Sequence, residues 1–165
     1  MSDAGILIRP ATDGDWPAIW SIFHAVVSRG DTYTYAPDSS EADARRLWMG
    51  PGVSTFVAVD GADVVGTYVL KPNQPGLGAH VANAGYMVRP GAFGRGIGWA
   101  MGVHSLDAAR SAGFRAMQFN AVVSTNDRAV ALWRRLGFVV VGTIPAGFRH
   151  AVHGYVDLYV MHRFL

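Results

Sequence analysis

An apolar strand that runs directly into three alternating glycines constrains this chain more than any other segment. Tyr86-Met87-Val88-Arg89-Pro90 leads through Gly91-Ala92-Phe93 to Gly94-Arg95-Gly96-Ile97-Gly98. These glycines open what reads as a helix continuing to Ala112, within which Gly96, Gly98 and Gly102 each cost about 0.8–1 kcal/mol relative to alanine. A helix that gives up that much stability has something approaching its backbone closely, and a helix N-terminus reached through a glycine turn suits phosphate.

The 165 residues, 50% of them hydrophobic, are enough for one compact domain over 1–165 and too few for two ordinary ones. Cysteine is absent, which excludes disulfides, thiolate metal sites and a cysteine nucleophile. No apolar run reaches the length of a membrane span, and the first twenty residues carry Asp3, Asp13 and Asp15 rather than a basic start before an apolar stretch. A soluble, cytoplasmic protein is expected. Thirteen arginines and one lysine, Lys71, face twelve acids for a formal charge of +2. The arginines are dispersed along the chain, so no nucleic-acid partner is expected.

The pattern alternates strands and helices without a linker or repeat. Ile6 to Arg9 reads as a strand. Thr12 or Asp13 can cap a helix with Trp16, Ile19, Trp20, Phe23, Val26 and Val27 at helical spacing and Gly30 as its stop. Ser39 or Ser40 opens a second helix to about Met49. Val53 to Val59 and Val64 to Leu70 flank the turn Asp60-Gly61-Ala62-Asp63 as a β-hairpin. His80 to Val88 is the central strand, and Ala112-Gly113 ends the glycine helix. Phe114 to Val123 is a strand, Asn126 to Leu136 a short helix, Val139 to Val141 a strand and Tyr155 to Met161 the last one. Strands interleaved with helices on a mixed sheet indicate an α/β or α+β domain.

Two familiar glycine motifs fail. The dinucleotide fingerprint G-x-G-x-x-G finds its last glycine one place early, and the P-loop needs a lysine where the chain has none. What remains, Phe93-Gly94-Arg95-Gly96-Ile97-Gly98 after Val88-Arg89-Pro90, resembles the acetyl-CoA signature of the GCN5-related N-acetyltransferases. About thirty residues on, the run from Asn126 through Ala129, Leu132 and Trp133 to Gly137-Phe138 is similar to that family's N-x-x-A-x-x-L-Y-x-x-x-G-F helix. The resemblance covers almost the whole chain. It implies a single-domain mixed, mostly antiparallel sheet flanked by helices, with a splayed strand pair that holds coenzyme A.

The resemblance also implies site roles. Amides of Phe93, Gly94, Arg95, Gly96, Ile97 and Gly98 would hold the pyrophosphate of acetyl-CoA, with Arg95 adding an ionic contact. Backbone groups near Tyr86, Met87 and Val88 would pair with the pantetheine arm, Gly85 would mark a strand irregularity or serve as a simple packing glycine, and Asn126 would face the cofactor. An amide near Val88 would hold the oxyanion as an amine attacks the thioester directly. Phe93 stands where the signature usually has glutamine or arginine. Trp133, placed against the cofactor, stands where many members have a general-acid tyrosine, and an indole cannot supply that proton.

The usual glutamate base does not carry over, because Glu41 is the only glutamate and lies on the second helix. His80, Asn83, Asp157 and an ordered water remain as candidates, water being favoured. Asn120, followed by Ala-Val-Val-Ser-Thr-Asn126, resembles a run in yeast acetyltransferases acting on azetidine carboxylate and related imino acids. On that reading Asn120 holds the substrate's polar group, and Tyr33, Tyr35 and Tyr68 line the acceptor pocket. His150 and His153 lack companions for a metal site, so none is expected, and His104 packs or caps. The partner expected is a small-molecule amine, and the family's habit of pairing through edge strands allows a homodimer. Acetylation of a protein N-terminus or an antibiotic amine, or a non-catalytic acetyl-CoA module, stay as alternatives.

Overall fold

The computed structural model describes residues 5–165, so Asp3 lies outside them. Strand β1 (Leu7–Pro10) leads through a 3-10 turn at Asp13–Asp15 into α1 (Trp16–Val27). The turn is held by Asp15, whose carboxylate accepts from the Thr12 amide at 2.8 Å and the Arg9 guanidinium at 2.7 Å. Helix α1 buries Trp16, Ile19, Ile22, Phe23 and Val27, one stripe at helical spacing. Ser40 caps α2 (Glu41–Met49), its hydroxyl accepting from the Asp43 amide at 3.1 Å. Trp48 of α2 is fully buried, and its indole N–H donates to Thr67 Oγ1 at 3.0 Å.

The remaining strands are β2 (Ser54–Asp60), β3 (Asp63–Pro72), β4 (Val81–Val88), β5 (Ala116–Val123), β6 (Val139–His150) and β7 (Gly154–Phe164). With β1 they form one seven-stranded sheet in the order β1-β2-β3-β4-β5-β7-β6. All neighbours are antiparallel except β4 and β5. The expected mixed, mostly antiparallel sheet is therefore present. Helices α1 and α2 cover one face, while α3 (Ile97–Ser111) and α4 (Asp127–Arg135) cover the other. Strand β4 divides its side chains between the two layers: Ala82 and Ala84 join the α3–α4 cluster, Met87 the α1–α2 cluster. That is the period-2 alternation of a strand buried on both faces.

The parallel pair is short. Only Val81 with Ala116 and Ala82 with Met117 are matched before the strands part. Across β4's other edge, pairing with β3 is unbroken from Gly66↔Val88 to Pro72↔Ala82. Strand β4 thus stays in the sheet while β5 diverges, opening a fork that points toward the glycine turn.

Two elements exceed their sequence expectation. Strand β6 runs to His150 rather than Val141, and β7 begins at Gly154 and ends at Phe164. Val139, Val141 and Ile144 are about half exposed, so β6 has little hydrophobic alternation to read. Its register also shifts between Ile144 and Phe148. Ala146 sits there at φ 51, its amide donating to the Asp157 carboxylate at 2.9 Å. No described helix is long and apolar enough to cross a membrane.

Candidate active site

The free edge of β4 follows from which residues its ladder uses. The Arg89 amide donates to Val65 O at 2.9 Å and the Asn73 amide to Val81 O at 2.8 Å, so odd-numbered residues turn their backbone groups toward β3. Alternation then turns Ala84, Tyr86 and Val88 toward the gap left by β5. Val88 faces the fork. Met87 does not: its backbone groups face Thr67 of β3, and its side chain, 2% exposed, packs beneath α1 and α2. Gly85 marks no irregularity, since the ladder passes through it unshifted. A Cβ there would stand 3.3 Å from Tyr33 Oη and 3.6 Å from the Trp48 ring, so the glycine makes room for Tyr33.

The turn beyond β4 is built from left-handed glycines, Gly91 at φ 87, Gly94 at φ 81 and Gly96 at φ 76. Gly96 is the N-cap of α3 and offers no side chain to its first amides. The Ala100 amide is the first to bond into the helix, to Gly96 O at 2.9 Å. Among the described residues, no acceptor is matched to the amides of Gly94, Gly96, Ile97 and Gly98. A Cβ built on Gly94 or Gly96 meets nothing within 4 Å. A row of free donors at the positive end of a 15-residue helix, beside open space, is fitted to phosphate oxygens.

Arg95 is otherwise engaged, because its guanidinium forms an ion pair with Asp60 at the end of β2. Arg128 of α4 lies 5.0 Å from the centroid of the exposed Phe93 ring, placing a cation beside the turn that the sequence reading missed. Its position in the first turn of the Asn126 helix was the available signal. Asn126 itself is the N-cap of α4, its Oδ1 accepting from the Ala129 amide at 3.2 Å.

On the α3–α4 side the fork is floored by aromatic rings. Trp133 lies 4.6 Å from Tyr86 and 4.7 Å from Phe119, centroid to centroid. It fills the space between the two strands as they separate. The Tyr86 hydroxyl lies 2.7 Å from Ser105 Oγ, and burial pushes its phenol well above the ordinary range. Among the described residues no acceptor is matched to the Trp133 indole N–H.

The three tyrosines expected in one pocket divide between the two faces. Tyr33 and Tyr35 stack 5.5 Å apart within the α1–α2 cluster. Tyr68 is fully buried on the α3–α4 side, stacked 4.7 Å from Phe56. Its hydroxyl meets His104 Nδ1 at 2.7 Å, so Tyr68 packs and His104 partners it, with the sheet between them and Tyr33.

Asn120 is exposed in β5, where the register with β7 shifts between Phe119 and Val122. Its Oδ1 accepts from Gln118 Nε2 at 2.9 Å, and its Nδ2 donates to Asn73 Oδ1 at 2.7 Å. His80 precedes β4, at the end opposite Val88, in a groove of about 820 Å³ shared with Arg115 and His162. Eight residues of strand separate it from Val88, roughly 26 Å at 3.3 Å per residue, and that distance separates His80 from chemistry at the fork. The other polar candidates are occupied: Asp157 holds Ala146, Glu41 accepts from the Trp16 indole at 2.8 Å, and Asn83 Nδ2 donates to Gln118 O at 3.0 Å. His150 Nδ1 accepts from the Val152 and His153 amides, a turn contact. The described residues contain no cluster of three or more metal-ligating side chains.

Residues 16–138 match the model of the acetyltransferase (GNAT) family. The N-acetyltransferase aca1 of Schizosaccharomyces pombe is 38% identical over 98 residues, which are 59% of this chain and 47% of that protein. The match thus spans about half the length of that curated relative. A GCN5-related N-acetyltransferase from Kribbella flavida superposes with a TM-score of 0.94 at 51% identity, covering 99% of this chain and 100% of the other. A phosphinothricin acetyltransferase of Sinorhizobium meliloti, solved in complex with AcCoA, gives a TM-score of 0.86 at 25% identity, covering 97% and 88%.

Proposed function

From the premise that this chain belongs to the acetyltransferase (GNAT) family, we propose that it moves an acetyl group from acetyl-CoA to the amine of a small amino or imino acid. The observation that carries the reading is the continuity of the fork with the glycine turn. The gap-facing backbone of Tyr86 and Val88 leads directly to the free amides of Gly94 to Gly98. An extended arm ending in a pyrophosphate would meet strand-edge donors first and helix-terminal donors next. The relatives named N-acetyltransferase, and the neighbour solved with AcCoA, support this.

In this reading a neutral amine attacks the thioester carbonyl, the new N–C bond forms, the C–S bond breaks and the amine proton passes to water. The Val88 amide points at the developing negative charge. The amine of a free amino or imino acid is mostly protonated at pH 7, so the neutral fraction that attacks is supplied by proton loss to water. This agrees with the placements of His80, Asp157 and Glu41, none of which is free at the fork. Trp133 cannot protonate the departing sulfur, so the thiolate leaves with its proton supplied by solvent.

Thioester cleavage measured across amino acids, imino acids, polyamines and peptides tests the proposal. Turnover confined to peptides would replace it with N-terminal acetylation, and turnover on aminoglycosides with antibiotic modification. Tight acetyl-CoA binding without turnover on any amine would point to a sensing module. A homodimer would use an edge strand, β1 or β6, and size-exclusion chromatography checks it.

A further inference from the structure

We infer that Lys71 and the amide chain Asn73–Asn120–Gln118 form a carboxylate subsite, which restricts acceptors to amines bearing a free carboxylate. The inference rests on the acetyltransferase reading and identifies what its acceptor must carry.

Lys71 is the only lysine of the chain. In the β3–β4 register it stands opposite Asn83, and directly opposed residues leave a sheet on the same face. That face is the one carrying Val69 and Met87, covered by α1 and α2 over β2 to β4. Asn83 reaches from β4 to the Gln118 carbonyl at 3.0 Å, so the row continues into β5 at the level where the two strands begin to part. Gln118 donates to Asn120 at 2.9 Å and Asn120 to Asn73 at 2.7 Å. The side-chain chain therefore spans from β5 to the loop after β3, across the start of β4, at the closed end of the fork.

The chemistry of this patch is one-sided. Among the described residues Lys71 has neither an ion pair nor a hydrogen bond from its ammonium. In the amide chain the oxygens of Asn120 and Asn73 each already accept a donor, leaving further N–H groups of all three amides unmatched. No acid occurs between Asp63 and Asp107 or between Asp107 and Asp127, so the ends of β3, β4 and β5 at this patch bring no carboxylate of their own. A lone cation beside several spare amide donors, with no anion supplied by these three strands, suits an acceptor's carboxylate and repels a polycation. An α-amino or imino acid bound there by its carboxylate has its amine only a few atoms away, toward the fork.

The test uses matched pairs: glycine, L-proline and L-azetidine-2-carboxylate, each against its carboxamide, with acetyl-CoA affinity measured by calorimetry. The wild-type protein is expected to favour the acids by at least about tenfold in kcat/KM, the factor typical of a charge-assisted hydrogen bond. Lys71→Ala should erase the preference through KM on the acids, leaving carboxamide turnover and acetyl-CoA affinity unchanged, and Lys71→Arg should restore most of it. Equal turnover of acids and carboxamides by the wild type, or equal loss of both in Lys71→Ala, overturns the subsite while the acetyltransferase reading stands. Absence of acetyl-CoA binding, or of turnover on any amine, removes that reading and the subsite with it.

Discussion

The Tyr33 hydroxyl donates to the Tyr86 carbonyl across 2.7 Å, and that carbonyl belongs to the edge of β4 that faces the fork. A loop between α1 and α2 therefore supplies a hydrogen bond that β5 withholds by diverging. Burial pushes the Tyr33 phenol far above its ordinary range, so it stays a donor at any pH the fold survives.

Tyr33→Phe should cost about 0.5–1.5 kcal/mol, the net worth of one hydrogen bond to a half-buried carbonyl, measurable as a lower urea midpoint at unchanged slope. Gly85→Ala should act through the same bond, because its Cβ would crowd Tyr33 Oη at 3.3 Å. The two changes should then be non-additive in a double-mutant cycle. Strict additivity would show that Gly85 serves something other than Tyr33.

A second prediction concerns acid. The hydrogen-bonded Arg9 guanidinium, helped by the Thr12 amide and hydroxyl, holds the Asp15 carboxyl down from an ordinary 3.8 to about 2. A depressed folded pKa contributes stability that is full above the unfolded value and is lost as pH falls through the folded one. The wild type should thus weaken between about pH 4 and pH 2, and Asp15→Asn should flatten that part of the stability curve. An unchanged slope in Asp15→Asn would assign the acid sensitivity to other groups.

The opposite face offers a titration that can be followed directly. Burial lowers the His104 pKa below its ordinary 6.5, against a smaller opposing pull from Asp107. The buried Tyr68 phenol stays protonated, so the hydrogen bond to Nδ1 at 2.7 Å favours neutral imidazole. The unfolded chain takes up this proton more readily, so the contribution is full above 6.5 and is lost as pH falls through the lowered value. Tyr68→Phe should raise the His104 midpoint seen by NMR; a midpoint that stays put would mean Nδ1 is not the acceptor.

How far the sequence carried these conclusions differed by element. The four helices and the central strand were legible because caps and apolar spacing are local: Ser40, Asn126 and the α1 stripe act within a few residues. Strand β6 was not, since most of its side chains face solvent and its register shifts at Ala146. Facing was also hidden. Tyr33 and Tyr68 fall on opposite sides of the sheet because of strand register, which no single segment encodes. The same applies to Met87: the motif located its strand, but only the ladder with β3 shows that Tyr86 and Val88, and not Met87, turn their backbones to the gap. The pairing of Arg95 with Asp60 depends on a hairpin remote in sequence, so the motif alone did not reveal it.

The glycines that drew attention first separate into two kinds, and this gives the last prediction. A Cβ on Gly102 would stand 2.5 Å from Leu136 Cδ1 and 3.6 Å from the Trp133 ring, so this glycine lets α4 approach α3. Gly98 lies in the same seam, where an added Cβ would stand 3.3 Å from Leu132 Cδ2. Gly96 has no such neighbour; what it supplies is a left-handed N-cap at φ 76. Gly102→Val should therefore destabilise by about 1–3 kcal/mol through overpacking, be partly relieved by Leu136→Ala, and leave acetyl-CoA affinity intact in the folded fraction. Gly96→Val should instead cost about 1–2 kcal/mol in backbone conformation and abolish acetyl-CoA binding, because the turn that aims the free amides can no longer form. Phe93→Ala, which removes only the ring beneath Arg128, should keep that binding. If folded Gly96→Val binds acetyl-CoA normally, phosphate is not held by the amides of this turn.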